Sequence, residues 1–159
     1  MNEQTTEYRI GESDRRILAA LQADATLTLK QLAEAVAMSP STVWRRVQDL
    51  EAAGVIVGRV TLLDPARLGL QVCVFVHVDI RDHRAETRDA FERFVRGRPE
   101  VMECFSITGA HDYMLIVRTE TVAAFEDFLM HALLSQPAVA AASSNFTLRQ
   151  QKYTTALPL

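Results

Sequence analysis

The ten residues from 71 to 80 constrain this chain most. Their even positions are Val72, Val74, Val76, Val78 and Ile80, and their odd positions are Gln71, Cys73, Phe75, His77 and Asp79. Strict alternation over this length fits a β-strand with one aliphatic face and one mixed face, and it does not fit a helix. Everything before Gly54 follows a helical period instead. A chain of 159 residues that changes period a third of the way along reads as α+β, with two small domains in series.

Three helices are expected in the first part. The first starts with Ser13 as N-cap, places Asp14 at the positive end of its dipole and buries Ile17, Leu18 and Leu21. Thr28 and Gln31 form a capping box that launches a second helix, burying Leu32, Ala33 and Val36. After a very tight turn, Ser39 caps a third helix with Pro40 at its first position, where a missing N–H costs nothing. Val43, Val47 and Leu50 are its core stripe, and Gly54 ends it. Residues 55–63 are β-branched and apolar and read as a wing strand bent at Gly58, broken by Asp64-Pro65.

The second part continues after the first strand with a helix over 85–96, its apolar face made by Ala90, Phe91, Phe94 and Val95. A strand over 101–108 follows, with Val101, Glu103, Phe105 and Ile107 on one side, then a turn at Gly109-Ala110-His111-Asp112 and a strand from Tyr113 to Arg118. Thr121 caps a helix with the stripe Phe125, Phe128, Leu129, Ala132 and Leu133. Gln136-Pro137 stops it, and Val139 opens a last strand reaching about Leu148. The order β-α-β-β-α-β is the ferredoxin-like split βαβ arrangement, with both helices on one face of an antiparallel sheet. The other face, carrying Cys73, Phe75 and His77, is too apolar for open water and too polar for a core. A second copy packed sheet against sheet is the expected cover, and a monomer with an open face is the alternative.

Two short helices joined by a tight turn, the second opening on small polar residues, make a helix-turn-helix. The core stripe of the third helix turns Ser41, Thr42, Trp44, Arg45 and Gln48 outward, where hydroxyls reach phosphates or base edges and Arg45 suits guanine. Ser39 and the capped N-terminus add backbone donors. Arg46 borders the stripe and can reach a phosphate, and Arg59 can do so from the wing. Trp44 reads equally well as packing between helices, and Arg45 and Arg46 as a solvated face. The net charge of −3 and pI near 5.8 speak against holding DNA by charge alone, so non-specific affinity should be modest and fall quickly with salt.

Motifs in consistent order carry a resemblance beyond these patterns. They are Asp14-Arg15-Arg16-Ile17-Leu18, Leu32-Ala33-Glu34-Ala35-Val36, Met38-Ser39-Pro40-Ser41-Thr42-Val43-Trp44-Arg45-Arg46-Val47, Pro99-Glu100-Val101, Thr108-Gly109-Ala110-His111-Asp112-Tyr113 and the tail from Lys152 to Leu159. Over roughly residues 12–159 the chain resembles the Lrp/AsnC family of bacterial feast/famine regulators. The resemblance implies a winged helix-turn-helix DNA-binding domain at 1–56, a linker strand or hinge at 57–70 and a ferredoxin-like effector domain, the RAM domain, at 71–159. It implies binding to paired half-sites on double-stranded DNA, assembly into dimers and then tetramers, octamers or larger rings, and an amino-acid effector held in clefts between neighbouring effector domains. Thr108, Gly109, Ala110, His111 and Asp112 are carried over as one wall of that cleft, and Ser143 and Ser144 as weaker candidates for the other. Asp112 would take the effector's ammonium group and glycine-turn N–H groups its carboxylate. Without the resemblance, plain turn chemistry is the preferred account of Gly109 and Asp112.

Other functions find less support. Cys73 and His77 share a strand face but stand about 13 Å apart by strand rise, too far for a nucleophile and its base. The Cys and His residues lack metal-ligand spacing, and no phosphate-binding glycine loop is present. No enzyme activity, metal or cofactor is therefore expected. An effector sensor without DNA binding is disfavoured by the intact segment from Ser39 to Arg46. The polar start, the two cysteines and the absence of a long apolar run point to a cytoplasmic protein without a membrane segment.

Overall fold

The caps expected from sequence set most of the first unit, with one exception. The structure, a computed structural model, describes residues 8–159; the polar stretch 1–7 read above lies outside them. Helix α1 spans Glu12–Ala23 and its N-cap is Gly11, not Ser13. The reason is Asp14: its Oδ2 accepts the Gly11 N–H at 3.0 Å, so a carboxylate closes the helix start in place of the Ser13 hydroxyl. Helix α2, Leu29–Ala35, begins with the Thr28/Gln31 box as expected, Gln31 Oε1 accepting from Thr28 N at 2.9 Å. Helix α3, Pro40–Ala52, is capped by Ser39, whose hydroxyl accepts from Thr42 N.

The two tight ends around α3 are built alike. Met38 N donates to Ala33 O and Val55 N to Leu50 O, six-residue closures that satisfy orphan carbonyls. Each needs a left-handed residue. Gly54 (φ 70°) supplies one, and Ala37 (φ 55°) supplies the other despite its Cβ. The helices enclose Ile17, Leu18, Leu32, Ala33, Val36, Val43, Val47 and Leu50.

Residues 55–63 form no strand among the described residues, which corrects the expected wing strand. Val55 and Ile56 turn their amides back onto Leu50 O, and beyond them no neighbouring strand offers a ladder. Val57, Val60, Leu62 and Leu63 are exposed, Val57 almost fully. After a short 3₁₀ turn, Ala66–Leu68, the sheet begins.

The sheet has strands β1 (Val72–Ile80), β2 (Val101–Ser106), β3 (Tyr113–Thr119) and β4 (Val139–Phe146), all antiparallel, in the order β2-β3-β1-β4. That is the ferredoxin-like topology expected. The even residues of β1 lie on the core face, where Val74, Val76 and Val78 meet Leu115 and Val117 of β3. Helix α4 (Ala85–Arg96) adds Phe91 and Val95. Helix α5 (Val122–Asp127) begins at Thr121 and continues as a π-helical stretch, Phe128–Leu133, adding Phe125, Phe128 and Leu133.

Two details of the pattern are corrected. Ala90 is exposed, because the core side of α4 is narrower than its apolar run. In β2 the register shifts between Val101 and Glu103, making Met102 an extra residue. This bulge sends Cys104, not Glu103, to the core side with Val101, whereas Glu103 and Phe105 point the other way.

The described chain divides into two compact units. One comprises residues up to Leu62 together with Lys152–Leu159; the other is Leu63–Gln151. The connector expected at 57–70 straddles that division. The tail, expected with the second domain, groups with the first: the Gln22 side chain accepts from Leu157 N and donates to Leu157 O. No helix among the described residues is long and apolar enough to cross a membrane.

Candidate nucleic-acid interface and effector loop

Because Val43, Val47 and Leu50 face inward, the opposite side of α3 presents Ser41, Trp44, Arg45 and Gln48, all exposed. Ser39 Oγ is occupied as a cap, accepting from Thr42 N and lying 2.7 Å from Thr42 Oγ1 and 3.2 Å from Ser41 Oγ. Trp44 is exposed and packs at the same time. It is 57% exposed, and it also lines a cleft of about 220 Å3 with Leu21, Leu27, Leu29, Leu32, Val47 and Arg59.

The three arginines differ sharply. Arg45 makes no ion pair among the described residues and projects from the outer face. Arg59 lies 3.0 Å from Glu51 in an exposed pair of the kind worth little in water, leaving it available to a stronger anion. Arg46, expected to reach a phosphate, instead turns inward: its Nη1 donates to Asp14 Oδ1 at 2.8 Å.

In the second unit the residues 108–112 lie in the link 107–112 between β2 and β3. Gly109 has φ 120°, a conformation that side chains resist, so glycine here is required by the backbone. Ile107 N donates to Asp112 O at 2.9 Å and closes the loop. Asp112 anchors it to β1: its N–H donates to Val78 O, and its Oδ2 accepts from Ile80 N at 2.9 Å. Its other oxygen, Oδ1, is 3.8 Å from His83 Nδ1 and remains partly open. Thr108, Gly109 and Ala110 are exposed.

The grouping of residues around this loop escaped the sequence reading. His111 Nδ1 is 3.0 Å from Asp79 Oδ1, and its ring centre is 5.0 Å from that of His77. His77 Nδ1 lies 3.5 Å from the side-chain amide nitrogen of Asn145. The period-two pattern did put His77 and Asp79 on the open face of β1; only the fold brings His111 beside them and His83 within 3.8 Å of Asp112.

Ser143 and Ser144 part company. Ser143 is opposite His77 on the open face, whereas Ser144 is opposite Val76 on the core face, with its hydroxyl buried and unpartnered. Ser144 is therefore no wall of an open-face cleft, because adjacent strand residues point to opposite sides. The bulge likewise separates Cys104 from Cys73. Burial, and then nearby Glu92, push the Cys104 thiol above its ordinary pKa and keep it protonated.

Comparisons with known proteins agree with both halves. Residues 73–157 match the Lrp/AsnC ligand binding domain, and residues 11–57 match a winged helix-turn-helix DNA-binding domain. A transcriptional regulator from Neisseria meningitidis solved as an L-Met complex is 39% identical, with a TM-score of 0.90 over 94% of this chain and 97% of that one. An AsnC family transcriptional regulator from Agrobacterium tumefaciens is 38% identical, with a TM-score of 0.89 over the same shares. The DNA-binding transcriptional activator DecR of Escherichia coli K12 is 36% identical, over 92% of this chain and 96% of its own length. Matching models over both units and relatives at this identity along nearly the whole chain carry one conclusion: the protein belongs to the Lrp/AsnC family of transcriptional regulators.

Proposed function

We propose that this protein binds specific sites on double-stranded DNA through α3 and adjusts that binding in response to a free amino acid. The observation that carries the reading is the presence, in one chain, of an outward Ser41/Trp44/Arg45/Gln48 face and a glycine loop tied to β1 by Asp112. Ser41, Thr42, Trp44 and Arg45 contact bases and backbone, the N-terminus capped by Ser39 offers amides to a phosphate, and Arg59 exchanges Glu51 for a phosphate.

The effector lies against Thr108, Gly109, Ala110, His111 and Asp112, with Ser143 beside them, in a cleft completed by a neighbouring subunit. Asp112 Oδ1 and loop amides match the two charged ends of an amino acid. A second copy covers the open sheet face, where Phe75, Phe105, Met114 and Ile116 lie, and larger rings assemble from such dimers. Effector binding alters the equilibrium among assemblies and through it DNA affinity. The reading needs no cofactor and no catalytic step, and it places the protein in the cytoplasm.

The test is a thermal-shift screen of the twenty amino acids, L-Met included because the neisserial relative was crystallised with it, followed by gel shifts with the duplex upstream of the chain's own gene. At least one amino acid should raise Tm and change the shift. A folded protein that shifts no DNA at low salt rejects the regulator. An intact DNA shift that no amino acid alters rejects the effector.

A further inference from the structure

The sequence places Arg45 and Arg46 side by side, yet the fold gives them opposite surroundings. Arg45 is exposed on the outer face of α3, whereas Arg46 crosses to α1 and meets Asp14, only 2% exposed, at 2.8 Å. Asp14 is satisfied from two sides, its other oxygen holding the Gly11 N–H that starts α1. Arg46 Nε is buried without a hydrogen-bond partner among the described residues, while the side chain as a whole is 33% exposed. Were Arg46 to leave Asp14 for a phosphate, a buried carboxylate would lose its cation, a costly exchange.

We propose that Arg46 is a positioning residue: through Asp14 it fixes the orientation of α3 against α1, and it does not itself hold a phosphate. This rests on the DNA-binding reading above. The pair joins the helix that carries the outward face to a helix start whose own amide the same carboxylate closes. It therefore sets the rotation at which Ser41, Arg45 and Gln48 are offered to the duplex. An ion pair suits this task because it has one good geometry, whereas the aliphatic contacts of Val43 and Val47 tolerate sliding.

Asp14→Asn separates the two roles by sign. If Asp14 merely withheld Arg46 from a phosphate, removing its charge would tighten DNA binding. If the pair positions α3, Asp14→Asn weakens specific binding by about tenfold, although the protein has lost a negative charge. The experiment measures Kd, by gel shift or anisotropy, for the upstream duplex and for a duplex of scrambled sequence at several salt concentrations. It uses wild type, Asp14→Asn, Arg46→Gln, Asp14→Asn with Arg46→Gln together, and Arg45→Gln as comparator.

Arg46→Gln should lose specific affinity, with little change for the scrambled duplex and an unchanged salt slope. Arg45→Gln, the comparator, should weaken both and lower the slope by about one. The double variant, which puts a neutral amide pair where the charges were, should recover specific affinity beyond the sum of the single losses. Should Arg46→Gln not fold, Asp14→Asn and the double variant still decide. Tighter or unchanged binding by Asp14→Asn, a lowered slope for Arg46→Gln, or strict additivity overturns the proposal. A wild-type protein that discriminates no DNA overturns the functional reading instead.

Discussion

At the scale of single residues, two positions make the physics measurable. Ala37 holds the turn between α2 and α3 with φ 55°, where its Cβ is resisted and glycine would be at ease. Ala37→Gly should raise stability by about 0.5–1 kcal/mol, the relief of strain exceeding the added chain entropy of the unfolded state. A urea denaturation midpoint that falls instead would remove strain from the account of that turn. Asp82 accepts from Thr87 Oγ1 (2.7 Å) and Arg84 N (3.1 Å), and these bonds, the hydroxyl's first, hold its carboxyl below the ordinary carboxylate range. A depressed pKa stabilises the fold at pH above the unfolded value of about 3.9, and that stability is lost as pH falls through the folded value. Asp82→Asn should therefore lower the urea midpoint at pH 6 and converge on wild type at strongly acid pH. A difference independent of pH would contradict this.

At the scale of elements, caps and stripes were legible because they are local. Thr28/Gln31, Ser39-Pro40 and Thr121 needed no more than a few neighbouring residues to act. Three features were not local. The bulge at Met102 follows from pairing with β3, and it alone turned Cys104 rather than Glu103 inward. The wing at 55–63 has strand-forming residues but no partner strand within its unit. The tail's two hydrogen bonds join Leu157 to Gln22, far away in sequence. These bonds imply that Gln22→Ala frees the tail. Limited proteolysis should then cut within residues 152–159 at least several-fold faster, with α1 still helical by circular dichroism. Equal rates would show that the clamp does not hold in solution. Within the second unit, Phe91 is fully buried between α4 and the sheet, with Tyr113 at 4.6 Å between ring centres. Phe91→Ala should cost about 3–5 kcal/mol, read as an earlier unfolding transition by calorimetry.

At the scale of the whole molecule, the open sheet face predicts association. Light scattering at micromolar concentration should give at least a dimer. Replacing Ile116, which lies on that face opposite Phe75, by Asp should shift the protein toward monomer while the fold persists. A wild-type monomer would overturn the sheet-to-sheet pairing. Alternation in β1, capping signals and helical stripes by themselves determined the chain order of the helices and sheet strands, the wing strand excepted, and the outward side of α3, because each depends on periodicity within one segment; the ferredoxin-like topology was read from that β-α-β-β-α-β order. Which arginine meets a carboxylate, which serine shares the open sheet face with His77 and which histidine meets Asp79 were decided only by the tertiary structure. Those outcomes depend on what stands opposite: Asp14 across from Arg46, Val76 beside Ser144, and Asp79 within reach of His111. Periodicity assigns a residue to a side; only packing supplies the partner that gives the side its chemistry.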